Sequence, residues 1–329
     1  MTSLFPLPRA ARGALSVLAL TAMTVSPAQA QSDYPNRPVK LVVPIAAGQA
    51  TDILGRLVAD ELSRALGQPF VIDNKPGAGT TLGTAFVAKA APDGYTLVMA
   101  TSGGFSVAPA IFAKLPYQPS VDFEPITNLG TVTQTLVTAA DAPWNDLPQF
   151  IAAARKKSMN YATAGVGTTS HLTTESLLQQ AGIALTHIPF KGMTEAQPQV
   201  ISGQIEVMFD ALPAVVPQVR AGKLKVLGVG SSQRTPLLPE APTIAEQGVK
   251  GFEAIGWIGI AAPAKTPGPI LDKLNAELRR IMATPEMRER LKTLYFTPAE
   301  GTRDEFARFI AGDIAKWGRV AKAANIKPE

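Results

Sequence analysis

One loop of the sequence combines three hydroxyl side chains with glycines and an imidazole: Gly165-Val166-Gly167-Thr168-Thr169-Ser170-His171. Because the loop opens a predicted helix, its N–H and hydroxyl donors are suited to binding an anion. The same residues allow a second chemistry, in which His171 acts as a general base for Ser170 or Ser102. The chain lacks the G-x-S-x-G motif of serine hydrolases, and its other histidine, His187, lies in a predicted strand. We therefore favour anion binding, with His171 as a hydrogen-bonding wall residue and His187 as a structural residue.

A second candidate loop, Pro44-Ile45-Ala46-Ala47-Gly48-Gln49-Ala50-Thr51-Asp52, joins a predicted strand to a predicted helix. Its small residues let backbone N–H groups approach a ligand, and the helix N-terminus favours negative charge. A charge at such a helix end gains about 0.3–1 kcal/mol, and each charge-assisted hydrogen bond adds roughly 1.5–3 kcal/mol. The loop therefore predicts a site that holds a carboxylate without Arg or Lys. We interpret Asp52 as a helix cap rather than a ligand contact.

Two further candidate segments follow predicted strands. Thr101-Ser102-Gly103-Gly104 offers hydroxyls and unhindered backbone, and Val207-Met208-Phe209-Asp210 ends in an acid. That acid either meets a ligand hydroxyl or amine or caps the helix near Pro213, and the sequence leaves both open. The segment Pro76-Gly77-Ala78-Gly79-Thr80-Thr81-Leu82-Gly83 departs from the G-x-G-x-x-G dinucleotide motif by one residue. Nucleotide binding is therefore not supported.

The composition excludes several classes of protein. The 329 residues include no Cys and two His, which excludes disulfides, thiolate zinc sites, iron–sulfur clusters and a cysteine nucleophile. The formal charge of +5 is small and includes no long basic run, so we expect no nucleic acid partner. Hydrophobic residues make up 46% of the chain and charged residues 17%, which indicates a folded core. We expect neither a metal nor a cofactor.

The apolar pattern predicts two sets of alternating strands and helices. The first set has strands at 39–45, 69–73 and 95–100 and helices between Thr51 and Gly67 and at 81–90. The second has strands at 159–163, 185–189, 206–210 and 224–230 and helices at 147–157, 169–180 and 195–202. Extended stretches at 126–137 and 252–261 join the sets, and helices at 270–282, 286–294 and 303–323 end the chain.

This alternation is typical of parallel α/β sheets with right-handed crossovers. Two sets joined by two extended crossings predict two domains with a ligand cleft between them. We place domain 1 at residues 33–130 plus 258–329 and domain 2 at residues 131–257. The last helix carries one apolar stripe that predicts core packing: Phe306, Ile310, Ile314, Trp317 and Val320.

The first thirty residues have the features of a secretory signal peptide. Arg9 and Arg12 precede an apolar stretch from Ala14 to Val25, and Ala28-Gln29-Ala30 forms an A-x-A cleavage site. The apolar stretch is about half as long as a membrane-spanning helix. Cleavage after Ala30 leaves 299 residues, and the loss of two arginines lowers the formal charge to +3. We therefore expect an exported protein.

A series of motifs runs through the whole mature chain in one order: Tyr34-Pro35-Asn36-Arg37-Pro38, Leu41-Val42-Val43-Pro44, Gly48, Thr51-Asp52, Asp73-Asn74-Lys75-Pro76-Gly77-Ala78-Gly79, Ala91-Pro92-Asp93-Gly94-Tyr95-Thr96-Leu97, Gly167-Thr168-Thr169-Ser170-His171-Leu172, His187-Ile188-Pro189-Phe190-Lys191-Gly192, Met208-Phe209-Asp210, and Glu305-Phe306 through Trp317. In these motifs the chain resembles the Bug family of periplasmic solute receptors, the binding components of tripartite tricarboxylate transporters. The resemblance implies an α/β, two-domain type II periplasmic-binding-protein fold that closes on a small ligand.

The resemblance also implies where the ligand binds. Two loops, at 45–51 and 167–171, would grip a carboxylate, partly through bound waters. Ser102 and Gly103 would form another wall, and Phe190 and Asp210 would face the distal end of the ligand. The implied ligand-binding residues are Ile45, Ala46, Ala47, Gly48, Gln49, Thr51, Ser102, Gly103, Thr168, Thr169, Ser170, His171, Phe190 and Asp210.

The chain departs from the family pattern in its first loop. Related receptors usually carry a Pro-Pro-Gly-Gly-like run where this chain has Ala46-Ala47-Gly48-Gln49. Our hypothesis is that Gln49 adds a side-chain amide to the pocket, which alters ligand choice or displaces a water. Phe190 stands where tyrosine is common, and the loss of that hydroxyl favours an apolar or aromatic ligand body.

We therefore expect a monomeric binding protein, not an enzyme, that captures a small carboxylate-containing solute and delivers it to membrane permease subunits. Two alternatives stay open: a secreted hydrolase that uses Ser170 or Ser102 with His171, and a receptor that presents its closed form to a sensor protein. The motifs fit di- and tricarboxylates, amino acids and aromatic acids alike.

Overall fold

The computed structural model describes Met1 and residues 34–323, so the predicted signal peptide lies, apart from Met1, outside the described residues. The strands are β1 Val39–Val43, β2 Phe70–Asn74, β3 Thr96–Thr101, β4 Phe123–Ala139, β5 Asn160–Thr163, β6 Thr186–Pro189, β7 Val207–Ala211, β8 Leu224–Val229, β9 Ile255–Pro263 and β10 Thr297–Pro298. The helices are α1 Ala50–Leu66, α2 Thr81–Ala88, α3 Ala108–Ile111, α4 Pro119–Asp122, α5 Leu147–Ala154, α6 Thr169–Ala181, α7 Met193–Ile201, α8 Leu212–Arg220, α9 Gly268–Ala283, α10 Pro285–Thr293 and α11 Arg303–Ala323.

The first part of the sheet contains the parallel strands that the sequence predicts. β1 lies between β2 and β3 and runs parallel to both, with Leu41 opposite Ile72 and Leu97. β9 then pairs antiparallel with β3. Because β1 and β3 are parallel, their carboxyl ends lie at one edge, from which the loop before α1 and the segment from Ser102 both leave.

The second part of the sheet repeats this arrangement. β5 lies between β6 and β7 and runs parallel to both, with Tyr161 opposite His187 and Val207. The loop from Ala164 to Thr168 therefore leaves the same edge as Ala211, the last residue of β7. The predicted site loops of each set are thus positioned at the carboxyl ends of parallel strands.

The long strand β4 belongs to both parts of the sheet. Residues 123–133 of β4 pair with β9, and residues 134–139 pair with β7 and β8, all antiparallel. The change of partner falls between Thr133 and Gln134. The resulting strand order is β2-β1-β3-β9-β4-β7-β5-β6, with β8 and β10 paired to β4 outside this path.

The predicted strands and helices are confirmed to within three residues, with two kinds of exception. Three short elements, α3, α4 and β10, were not predicted, and of α8 only a helix near Pro213 was expected, without its bounds. In α8, Pro213 lies in the first turn, where proline is tolerated, whereas Pro217 lies inside the helix, where proline normally signals an end. The prediction that Asp52 caps α1 is wrong, because the helix begins at Ala50 with Gln49 at the N-cap.

The apolar stripe of α11 packs into the core as predicted. Phe306 and Ile310 are buried against β9 residues that include Trp257, and Trp317 is buried against Leu172 of α6. The stripe therefore packs α11 against β9 of the first part of the sheet and against helix α6. No helix within the described residues is both long and apolar enough to cross a membrane.

Candidate functional site

Two adjoining cavities lie where the loops after β1, β3, β5 and β7 meet. The first cavity has a volume of about 400 Å³. It brings together most of the predicted ligand-binding residues: Ile45, Gly48, Gln49, Thr51, Ser102, Gly103, Thr168, Thr169, Ser170 and Asp210. Residues that lie far apart in the sequence thus share one pocket.

The second cavity has a volume of about 600 Å³ and is lined by Phe190 and Ala46. Phe190 and Asp210, which the family resemblance implied at the same end of a ligand, therefore face different cavities. Ala47 and His171 lie outside both linings. Ala47 is exposed in its loop, and His171 is buried, with its Nδ1 accepting a 3.4 Å hydrogen bond from the N–H of Gly167.

A hydrogen bond crosses the first cavity between the two parts of the sheet. Oγ of Ser102, directly after β3, lies 3.1 Å from Oγ1 of Thr169, the first residue of α6. Either hydroxyl can donate, and each oxygen keeps a lone pair for a further partner. The bond therefore links one predicted hydroxyl residue of each strand set.

The buried carboxylate of Asp52 fixes the loop before α1. Its Oδ2 accepts hydrogen bonds from the N–H of Gly48 at 2.8 Å and from Nε of Arg56 at 3.0 Å, and its Oδ1 accepts one from Nδ2 of Asn74 at 2.9 Å. Burial acts to raise the pKa of this carboxyl, but the hydrogen bonds outweigh burial and lower the pKa. Asp52 lies outside both cavities and positions the loop that lines them.

The N-terminus of α6 is fixed by its own hydroxyl groups. Oγ1 of Thr168 accepts the N–H of His171 at 3.4 Å, and it donates to the carbonyl of Gly165 at 2.8 Å. Oγ of Ser170 accepts the N–H of Ala164 at 3.2 Å and lies 3.0 Å from Oγ1 of Thr168. Because the first N–H groups of a helix lack partners within it, the starts of α1 and α6 both offer donors to the cavity.

The two histidines form a stack behind the loop of α6, in which His171 is buried and His187 is partly buried. The rings of His171 and His187 are 4.2 Å apart, and the ring of His187 stacks in turn on Tyr161 at 4.9 Å. Nε2 of His187 lies 2.6 Å from Oγ1 of Thr163. Burial, and secondarily the neighbouring His171, lowers the pKa of His187 to about 4. The imidazole of His187 is therefore neutral near pH 7 and structural in character.

Asp210 contributes a buried carboxyl to the first cavity. Its Oδ1 accepts the N–H of Ala211 at 2.7 Å, and its buried Oδ2 has no hydrogen-bond partner among the described residues. Burial raises the pKa of this carboxyl to about 7, opposed by the hydrogen bond from Ala211. The helix after it, α8, has Ala211 at its N-cap, so the structure does not support Asp210 as the cap.

Several residues that line the first cavity were not predicted from the sequence, among them Thr80 and Gln134. Gln134 is a buried polar residue where β4 changes partners, and because Thr133 and Thr135 flank it, nothing in the sequence singles it out. Thr80 lines both cavities, with its Oγ1 buried and unpartnered among the described residues. Thr80 and Ala78 have φ values of 79° and 47°, left-handed conformations that cost energy in a non-glycine residue and often mark functional loops.

The first cavity combines apolar walls with hydroxyl and amide groups, and no Lys or Arg is among its described lining residues. Asp210 is the only ionisable residue among the described residues that line it. Elsewhere in the described part of the chain, no group of three or more His, Cys, Asp or Glu side chains could hold a metal ion. The donors available to a ligand are therefore backbone N–H groups, hydroxyls, side-chain amides and, when it is protonated, the carboxyl of Asp210.

This fold is that of the periplasmic binding proteins. The periplasmic binding protein BugD is 36% identical, with a TM-score of 0.85 over 90% of this chain and 100% of BugD. Rpa4515 of R. palustris, solved with adipate, is 33% identical, with a TM-score of 0.87 over 90% of this chain and 100% of Rpa4515. MatC of Rhodopseudomonas palustris, solved with bound malate, is 35% identical, with a TM-score of 0.83 over 87% of this chain and 99% of MatC.

The family model of the tripartite tricarboxylate transporter family receptors, TctC, matches residues 54–326. The chain belongs to this family, which confirms the predicted resemblance to the Bug receptors and the predicted α/β periplasmic-binding fold.

Proposed function

We propose that the chain is a periplasmic receptor that binds a small carboxylate-containing solute in the first cavity and delivers it to the permease subunits of a tripartite tricarboxylate transporter. The main support is that two helix N-termini and the hydroxyl pair of Ser102 and Thr169 meet at one cavity. No Lys or Arg is among the described residues that line this cavity. Such donors stabilise a carboxylate through directed hydrogen bonds.

The relatives support this ligand class. Rpa4515 was solved with adipate and MatC with malate, and both ligands are dicarboxylates. The hydroxyls that a histidine base would activate are already engaged, Ser170 with Ala164 and Thr168 and Ser102 with Thr169. Binding without turnover is therefore the better supported function than hydrolysis.

We propose that ligand capture closes two domains about the crossing strands. The partner change in β4 after Thr133 and the start of β9 at Ile255 both lie near the expected boundaries at residues 131 and 257. Bending there would carry Ser102 and Thr169 towards or away from each other. All the groups of this mechanism belong to one chain, as expected for a monomer. We also propose that the chain is exported and that its signal peptide is cleaved after Ala30.

A thermal-shift screen of the mature protein over a carboxylate library tests the proposal. A ligand present at about 100 times its Kd stabilises the folded state by about 2.7 kcal/mol and raises the melting temperature. We expect a shift from at least one small carboxylate and none from the amide of the same compound.

Two variants of α6 provide a matched pair for this screen. Thr169→Val removes a hydroxyl from the first cavity and should weaken binding. Thr173→Val removes a buried hydroxyl that has no hydrogen-bond partner among the described residues, on the same helix but away from the cavities, and should leave binding unchanged. Failure of every carboxylate to bind, or ester turnover that His171→Ala abolishes, would contradict the proposal.

A further inference from the structure

The two cavities share a boundary to which both parts of the sheet contribute. Six residues line both cavities: Ile45, Gln49, Thr80, Ala164, Thr168 and Thr194. Gln49 has the longest polar side chain of the six, and it projects from the N-cap of α1. Shortening this side chain by substitution should therefore open the boundary between the two cavities.

Gln49 reaches across to the residue that precedes α7. A Cβ atom on Gly192 would stand 2.9 Å from Nε2 of Gln49, closer than side-chain atoms normally approach. Gly192 has φ 171° and ψ 165°, an extended conformation open to any residue. The backbone thus does not require glycine at this position, whereas the Gln49 amide occupies the space that a side chain would take. The two residues are complementary in size across the cleft.

The amide of Gln49 has unused hydrogen-bonding capacity. Its oxygen and nitrogen make no hydrogen bond within the described part of the chain, although the residue is only partly exposed. A side-chain amide offers two donors and one acceptor oxygen. The group can therefore cap the end of a ligand that lies in the first cavity.

We propose that Gln49 partitions the cleft and sets the length of the ligand. A short carboxylate fits within the first cavity, of about 400 Å³, and ends against the Gln49 amide. A longer ligand has to pass this side chain to reach the second cavity, of about 600 Å³. The inference rests on the proposed function, because it concerns the same carboxylate site.

Calorimetric titration with succinate, adipate and suberate tests the partition. The variant Gln49→Ala shortens the side chain without adding the backbone freedom of glycine. Because each buried methylene group strengthens binding about fourfold, we expect the variant to shift the suberate-to-succinate affinity ratio at least about tenfold towards suberate.

Gln49→Met is the matched control, since it keeps a long side chain but removes the amide. The wild-type length preference should persist in this variant. A ratio that stays unchanged in Gln49→Ala, or that changes equally in Gln49→Met, would overturn the partition while leaving carboxylate binding intact. If no dicarboxylate binds the wild type or either variant, while other carboxylates do bind, the partition also fails. If no carboxylate of any kind binds, the proposed function fails.

Discussion

The imidazole of His171 stacks on that of His187, with ring centroids 4.2 Å apart and ring planes 11° from parallel. His171 belongs to α6, whose N-terminus lines the first cavity, and His187 belongs to β6. The stack therefore joins the binding loop to the sheet beneath it. A positive charge on either ring would repel a charge on the other and would have to be desolvated.

The His187 pKa predicts an acid-sensitive fold. Burial lowers this pKa from 6.5 to about 4, so the unfolded chain binds a proton in that range that the folded chain does not. Stability should therefore be highest above pH 6.5 and fall as the pH decreases towards 4. The unfolding free energy measured with urea should change less with pH across this range in His187→Gln than in the wild type. An NMR titration that gives His187 a pKa near 6.5 would contradict this prediction.

The Asp210 pKa predicts that carboxylate binding weakens as the pH rises. The neutral form of Asp210 can donate from Oδ2 to a ligand, whereas the ionised form repels a carboxylate. With a pKa of about 7, raised by burial, Asp210 ionises as the pH passes through 7. Two like charges about 4 Å apart at an effective dielectric constant near 20 repel by about 4 kcal/mol, so calorimetry should detect a large loss of affinity.

Asp210→Asn supplies the control for this titration. The variant keeps a donor and has no ionisable group, so its affinity should vary little with pH near neutrality. The unfolding free energy of the variant should also depend less on pH than that of the wild type. In the wild type, the raised pKa of Asp210 stabilises the fold below the unfolded pKa of 3.8, and this stabilisation is lost as the pH rises through 7. If ligand affinity changed with pH in the same way in the variant and in the wild type, Asp210 would not be the group that makes binding depend on pH.

The bond between Ser102 and Thr169 predicts energetic coupling. A double-mutant cycle with Ser102→Ala and Thr169→Val should give an interaction free energy of about 0.5–1.5 kcal/mol, the value of one neutral hydrogen bond. If the bond belongs to the closed form, the coupling should appear in ligand affinity as well as in unfolding. Additive effects in both measurements would show that the two hydroxyls act independently.

The hydrogen bonds of Asp52 predict that the conformation of the loop before α1 depends on a residue outside the cavities. Asp52→Asn keeps the shape but loses the charge that accepts from Gly48 and Arg56, so unfolding free energy should fall by about 1.5–3 kcal/mol. Ligand affinity should fall with it, because Gly48 lines the first cavity. Asp60→Asn, an exposed change on the same helix, should leave both quantities unaltered. An Asp52→Asn variant as stable as the wild type would refute this role.

The sequence predicted the α/β order well because the buried strands are short apolar runs and the long helices have clear stripes. The extent of α8 was not predicted, because Pro217 lies inside this helix at a position where proline normally signals a helix end. Most of the candidate site was found from loops after strands, since parallel strands bring their carboxyl ends together. Gln134 was not predicted, because its place in the site depends on where β4 exchanges partners. The position of His171 outside the cavities was not predicted either, because sequence spacing does not show that its ring stacks on His187.

The shared strand β4 limits how the chain can be divided. Cutting between Thr133 and Gln134 would leave each fragment with a shortened strand and a row of unpaired backbone groups on its neighbours, β9 on one side and β7 and β8 on the other. Exposed strand edges of this kind promote aggregation or exchange of strands between molecules. Although the chain forms two sets of parallel strands, neither set is a module that could be expressed or exchanged alone.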